Sequence, residues 1–342
     1  MQTSSSETSR TTHHQSPAAA RESITHPQPQ RLPTVRLAIS AMRPKQWTKN
    51  GLVLLALVFS HRLFDLAADA RAMLAFAVFC LAASAIYIFN DIYDREKDAI
   101  HPTKRLRPIA SGRLSVRDAH LLAAGCVSAA IAGTAVLTIG ALSAQPDPYS
   151  MWGGSPLLFT LTVLAYLGMN VLYTLRLKHE VLWDVFIIAG GFVLRALAGA
   201  IAIPVPISPW FYLCTTFLAL FLALGKRRAE LTTLSESAAQ HRPNLRDYNT
   251  ALLDQLLGIT VTSVLITYSL YTFQGENASH ALMLTIPFVL FGTYRYLYLI
   301  YARGEGGQPD VVLYRDRQIL ATVILCIVVI LALLYLIPAM RG

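Results

Sequence analysis

Charge is scarce in this chain: 14% of its 342 residues are Asp, Glu, Lys or Arg, against roughly 25% in a soluble domain. Cysteine is scarcer, and Cys80, Cys126, Cys214 and Cys326 each stand alone inside an apolar run. With no C-x-x-C pair, neither a zinc site nor a disulfide framework is indicated. No apolar run precedes Gly51, so the N-terminal segment does not read as a signal peptide. Residues 1–34 are rich in Ser, Thr, His, Gln and Pro and lack the apolar surface needed to fold alone. They are expected to form a disordered cytoplasmic tail, His13 and His14 included, ahead of a single transmembrane domain over 35–342.

What is abundant is apolar sequence. Apolar residues make up 54% of the chain and its mean hydropathy is +0.46. They fall in runs close to the roughly 20 residues that cross a bilayer. Hydropathy predicts an all-α, polytopic transmembrane helical bundle of about nine spans, near 51–65, 71–93, 119–143, 156–175, 181–203, 208–224, 252–273, 282–302 and 318–338. Four cysteines inside such spans read as small hydrophobes.

The formal charge of +9 does not imply nucleic acid, because cytoplasmic loops of membrane proteins are themselves basic. Lys and Arg crowd alternate loops: before the first span, between the second and third, and after the fourth, sixth and eighth. Arg242 and Arg246 belong to this set. The other loops are nearly bare of them, Arg62 and Arg71 excepted. The expected N-terminus is therefore cytoplasmic, with every polar motif on the cytoplasmic side. A transport pathway would place polar groups at mid-membrane instead.

The sharpest motif is Asn90-Asp91-Ile92-Tyr93-Asp94-Arg95-Glu96-Lys97-Asp98, at the end of the second span. On a helix Asp91, Asp94 and Asp98 lie at i, i+3 and i+7 and share a face. Carboxylates gathered there repel one another and oppose the helix dipole unless a cation joins them. With no His or Cys beside them, hard oxygens favour Mg²⁺, which takes one or two carboxylates plus substrate phosphates. Asn90, Asp91, Asp94 and Asp98 are the expected metal ligands. The alternative is a solvated helix end. Lys104, Arg105, Arg107, Ser111, Gly112 and Arg113 follow and suit phosphate oxygens, although the basic-loop rule alone would put cations there.

The N-D-x-x-D-x-x-x-D motif with the Arg107–Arg113 stretch resembles the UbiA superfamily of intramembrane prenyltransferases. Four further segments resemble its decaprenyl-phosphate phosphoribosyltransferase branch: Arg43–Asn50, Tyr173–Asp184 continuing to Gly191–Gly199, Gly225–Leu231, and Tyr314–Arg317. The resemblance covers nearly everything after residue 35. It implies a magnesium-dependent transferase at the cytoplasmic face of the plasma membrane, with phosphoribosyl diphosphate as donor and a polyprenyl phosphate such as decaprenyl phosphate as acceptor. It also implies a place upstream of a cell-wall polysaccharide. Aromatic-ring prenyltransferases of the superfamily carry a second aspartate-rich motif after the sixth span, where this chain has Lys226, Arg227 and Arg228, with Glu230 the nearest acid.

The expected substrate-binding residues are Lys45, Asn90, Lys104, Arg105, Arg107, Arg113, Tyr173, Lys178, Asp184, Arg195, Lys226, Arg227 and Arg228. Asp184 and Arg195 share a helix face about 16 Å apart, with Gly191 and Gly199 beside them for close helix packing. Arg195 either binds substrate or pairs with a buried carboxylate. Trp47 and Tyr294, Tyr296, Tyr298 and Tyr301 read as interfacial belt residues. Arg315, Asp316 and Arg317 read as a phosphate clamp or an anchor. A homo-oligomer is compatible with all of this. The competing functions are prenyl transfer to an aromatic acceptor and a non-catalytic transporter or scaffold.

Overall fold

A computed structural model describes residues 34–142, 157–206, 208–234, 247–274 and 280–336. The expected tail, apart from Thr34, and the loop arginines Arg242 and Arg246 lie outside the described residues. Helices account for nearly all of what is described: α1 (Thr34–Met42), α2 (Leu55–Phe59), α3 (Leu66–Tyr93), α4 (Arg95–Ile100), α5 (Val116–Leu142) and α6 (Leu158–Leu175). They continue as α7 (Trp183–Ala202), α8 (Pro209–Leu234), α9 (Thr250–Gln274), α10 (Ile286–Arg303), α11 (Pro309–Arg315) and α12 (Arg317–Leu331). Among the described residues, eight helical stretches are long and apolar enough to cross a membrane. The chain is a multi-pass membrane protein.

The first of the nine expected spans is not a continuous α-helix. Pro44–Leu54 winds as a 3-10 helix of eleven residues and hands over to the five-residue α2. At about 2.0 Å per residue in a 3-10 helix and 1.5 Å in an α-helix, the two reach roughly 30 Å, the hydrocarbon thickness. The tighter winding is held by packing on both sides: Trp47 Nε1 donates to Ser84 Oγ on α3 (3.0 Å), and Val53, fully buried, abuts Gly199 of α7. Trp47 is half-buried and serves as a hydrogen-bond donor to α3.

Two apolar clusters meet across α7. Val53, Phe79, Phe159, Val163 and Ala198 join the 3-10 segment to α3, α6 and α7. Val185, Phe221, Leu253, Leu257, Leu299 and Ile300 join α7 to α8, α9 and α10. The free cysteines follow expectation in kind: Cys80 and Cys126 are buried, Cys214 and Cys326 half-buried. Side-chain contacts sort the helix ends. Lys178 reaches Asp94, Arg227 reaches Asp184, Arg228 reaches Asp254 and Arg295 reaches Asp316. The basic loops therefore share one end of the bundle with the aspartates.

Candidate active site

Helix α3 stops at Tyr93, Asp94 takes a turn conformation, and α4 restarts at Arg95. Asp91, buried in the last turn of α3, and Asp98, buried in α4, face the same guanidinium. Arg107 Nη1 lies 3.0 Å from Asp91 Oδ1 and 2.5 Å from Asp98 Oδ2. Asp94 turns aside, and both its oxygens accept from Lys178 Nζ (2.8 and 2.9 Å). The expected convergence of three aspartates is corrected to a pair: among the described residues no three His, Cys, Asp or Glu side chains gather to hold an ion. The reason is Lys178, which engages both Asp94 oxygens, while Asp91 and Asp98, two turns apart, keep a common side. Asn90 is half-buried one position before Asp91, and its backbone carbonyl accepts from Asp94 N–H (2.9 Å).

Other cations close around the pair. Arg43 Nη2 lies 2.5 Å from Asp91 Oδ1, and Lys104 Nζ lies 3.9 Å from Asp98 Oδ1. Arg43 was not among the expected site residues. It sits in the left-handed region (φ 55°, ψ 61°) immediately before Pro44, with its guanidinium over the Tyr87 ring at 5.3 Å. A non-glycine residue rarely holds that backbone unless its surroundings impose it. The available signal was the dipeptide itself. Arg43-Pro44 and Arg107-Pro108 are both Arg-Pro; Arg107 takes the extended backbone that a following proline favours, whereas Arg43 departs from it.

The loop between α4 and α5 is self-organised. His101 Nδ1 lies 3.2 and 3.3 Å from the backbone nitrogens of Thr103 and Lys104, which donate to it. Arg113 is spent on the loop too, donating to Ser111 Oγ (2.9 Å) and to the Leu106 carbonyl. Arg105 is exposed, as is Lys45, whose carbonyl accepts from Thr48 Oγ1. Tyr173 is half-buried on α6.

The remaining expected residues make their described contacts with partners other than Asp91 and Asp98. Arg227 is fully buried, its Nε 2.8 Å from Asp184 Oδ2 and its Nη1 paired with Glu230. The Nε–H does not point along the Asp184 contact, which is therefore electrostatic rather than an aligned hydrogen bond. Asp184 also accepts from Tyr248 Oη (2.8 Å), and that oxygen accepts from Leu182 N–H (2.8 Å). Burial, then the Asp184 charge, pushes the Tyr248 hydroxyl well above its usual pKa, so it stays a donor at neutral pH. Leu182 has φ 67°, so this network pins a strained turn at the end of the Lys178 loop. Arg228 donates to Asp254 Oδ1 (2.6 Å) and stacks on Tyr301 (3.9 Å). Of the basic trio, Lys226 is the most exposed, 3.9 Å from Glu230. Asp316 caps α12 and is bound by Arg295 Nη2 (2.8 Å), which holds its carboxyl below the usual range. Asp316 is an interhelical bracket rather than part of a phosphate clamp.

Among the described residues Arg195 is paired with no carboxylate. Its Nε donates to Asn50 Oδ1 (2.6 Å), Nη1 to the Gly191 carbonyl (2.6 Å) and Nη2 to Tyr166 Oη (2.8 Å). It ties the 3-10 segment, α6 and α7 together through neutral oxygens. A cavity of about 550 Å³, lined by Phe59, Trp210, Phe211 and Tyr271, lies toward the opposite end of α7 beside Ala200 and Pro204. It is remote from the carboxylates, and the charge geometry rather than the cavity locates the chemistry.

Fold and site together define a membrane-embedded helical transferase whose ionisable groups are gathered at one end of the bundle. The chain belongs to the UbiA prenyltransferase family, which matches residues 51–306. It is 35% identical over 294 residues to the decaprenyl-phosphate phosphoribosyltransferase of Mycolicibacterium smegmatis, covering 82% of this chain and 86% of that one. The enzyme of the same name from Mycobacterium tuberculosis is 34% identical over 291 residues, 83% of this chain and 90% of the relative. The fold is similar to that of a UbiA homolog from Archaeoglobus fulgidus bound to GPP and Mg²⁺, with TM-score 0.64 and 18% identity, over 86% of this chain and 96% of that one.

Proposed function

We propose that the chain transfers the 5-phosphoribosyl group from phosphoribosyl diphosphate to a polyprenyl phosphate, decaprenyl phosphate in the first instance, releasing diphosphate. The observation that carries the reading is the end of α8. Glu230, the nearest acid to the basic trio, is engaged with Arg227 and Lys226. Asp184 and Asp254 are likewise paired, with Arg227 and Arg228, so each acid at the position that would hold a second metal in prenyl transfer is already engaged by a cation. The activity for which the relatives are named supports the same reading.

Mg²⁺ fits the donor set: the oxygens of Asp91 and Asp98 are hard ligands already facing one cation, and the ion needs only one or two carboxylates when phosphates complete its shell. Asp91 and Asp98 would hold it, with Asn90 and Asp94 at the edge. When bound it supplies charge neutralisation for the departing diphosphate. Arg43, Lys104, Arg107 and Lys178 hold phosphate oxygens and stabilise the charge that develops as the ribose C1–O bond breaks. The electron pair leaves with diphosphate, and a lipid phosphate oxygen forms the new bond to an oxocarbenium-like C1. That acceptor is anionic near pH 7, so the step requires no strong base.

The basic loops set the proposed orientation, with the N-terminus and the site at the cytoplasmic face of the plasma membrane. The proposed division is a cytoplasmic tail over 1–34 and a catalytic domain over 35–342. Membranes carrying the chain, given Mg²⁺, labelled phosphoribosyl diphosphate and decaprenyl phosphate, are expected to yield labelled lipid. Prenyl transfer to an aromatic acid without labelled lipid overturns the reading.

Tyr248→Phe removes the hydroxyl that joins Asp184 to Leu182, at a cost of about 1–2 kcal/mol. Because the same network pins the Lys178 loop, KM for phosphoribosyl diphosphate is expected to rise about threefold to tenfold with kcat nearly unchanged. Steady-state kinetics in donor concentration separate this from a purely structural loss, which would lower the active fraction without moving KM.

A further inference from the structure

Three carboxylates face four cations at this site: Asp91 meets Arg43 and Arg107, Asp98 meets Arg107 and Lys104, and Asp94 meets Lys178. Each contact is between opposite charges, and the total is one positive charge in excess. A divalent ion approaching alone adds charge to an already cationic cluster, whereas a diphosphate approaching alone is attracted. Cations and carboxylates at this spacing leave little room for both partners of an acid to be kept at once.

The two arginines on Asp91 are not equivalent. Arg43 touches Asp91 alone, stacks over Tyr87, and is rooted in left-handed backbone. Its position is fixed three ways. Arg107 bridges Asp91 and Asp98 through a single nitrogen, which stands between the two carboxylates. Its backbone is extended (φ −61°, ψ 145°), and the following Pro108 and Ile109 are buried, Ile109 packing against Ala41, Ile88 and Leu114. The root of Arg107 is anchored while a quarter of its side chain is exposed, so its guanidinium can swing without the loop moving.

We propose that Arg107 is an exchangeable counter-cation: a divalent ion competes with its guanidinium for Asp91 and Asp98, and the displaced guanidinium becomes a ligand for diphosphate. Metal and diphosphate then bind cooperatively, since each improves the other's site and the coupling is reciprocal. Arg43 is the resident partner, staying on Asp91 while Arg107 exchanges. The inference rests on the metal and diphosphate part of the function proposed above. It does not depend on the sugar or the lipid, so failure of phosphoribosyl transfer and failure of this exchange are separate results.

The test uses the purified full chain in detergent with Mn²⁺ as a spin-active probe and inorganic diphosphate as the anion. In the wild type, diphosphate should tighten Mn²⁺ by about tenfold or more. In Arg107→Gln, Mn²⁺ alone should bind about tenfold tighter than in the wild type, and most of the tightening by diphosphate should vanish. Arg43→Gln should not tighten Mn²⁺. A second readout needs no variant: phenylglyoxal labelling mapped by mass spectrometry should increase at Arg107 but not at Arg43 when Mn²⁺ is added, then fall when diphosphate follows. Weaker or unchanged Mn²⁺ binding in Arg107→Gln with the coupling intact overturns the proposal. So does Arg107 labelling that is indifferent to Mn²⁺.

Discussion

Asp91→Asn is expected to lower the rate of labelled-lipid formation by at least about a hundredfold, the scale of losing one preorganised electrostatic contact in a buried site. The side chain keeps its shape but loses the charge that both Arg43 and Arg107 address at Oδ1. Two guanidiniums then face a neutral amide, and the hard anionic oxygen needed to hold a divalent ion is gone. The fold should survive, because the substitution removes the buried charge itself and leaves two arginines that are each a quarter exposed, within reach of water, the amide oxygen or, for Arg107, Asp98. Two measurements are needed together: turnover, and thermal stability in detergent. Retention of more than about a tenth of the wild-type rate in folded protein would remove Asp91 from the chemistry. Asp94→Asn should be milder, because Asp94 engages Lys178 alone.

The aspartates were legible because an acidic cluster at a helix end is electrostatically costly wherever it occurs, and sequence displays that cost directly. Which of them converge was not legible. It depends on Lys178, a residue far along the chain that engages Asp94. The basic trio shows the opposite failure. Sequence treats Lys226, Arg227 and Arg228 as three loop cations, but Arg227 is fully buried against Asp184, a residue on another helix. Only tertiary structure can say that such a charge is already spent. Arg195 was recognised as interior from its depth in an apolar run, yet its partners are neutral oxygens on three elements. Hydropathy placed the first span near 51–65, taking in only the last four residues of the 3-10 segment, and could not show the winding, since a 3-10 and an α-helix of the same residues are equally apolar. The same winding carries Arg43 to Asp91, so the missed geometry and the missed site residue have one cause.

Gly199→Ala should be the most destabilising single methyl in the described structure, costing about 3 kcal/mol or more. A Cβ at Gly199 would overlap the carbonyl oxygen of Val53 and stand 2.8 Å from its carbonyl carbon and 3.1 Å from its Cα. These are backbone atoms of a fully buried residue, so no side-chain rotation relieves the contact and α7 must separate from the 3-10 segment. One turn away along α7, that separation pulls on the 2.6 Å bond from Arg195 to Asn50. At the far end of the same segment it shifts Arg43 relative to Asp91. Two alanine controls isolate the effect. At Gly191 a Cβ would meet the Arg195 side chain at 3.2 Å and Met169 at 3.7 Å, ends that can yield, so the cost should stay near 1 kcal/mol. At Gly258 nothing lies within 4 Å, and alanine should be neutral or slightly stabilising from helix propensity. Thermal melting in detergent should rank the three as Gly199 far below Gly191, and Gly191 at or below Gly258. Activity should fall with Gly199→Ala even below its melting temperature, because the 3-10 segment that clashes with α7 is the one that delivers Arg43. If Gly199→Ala melts with the other two, the 3-10 segment is free to move and the rigid delivery of Arg43 to the carboxylates is lost as an explanation.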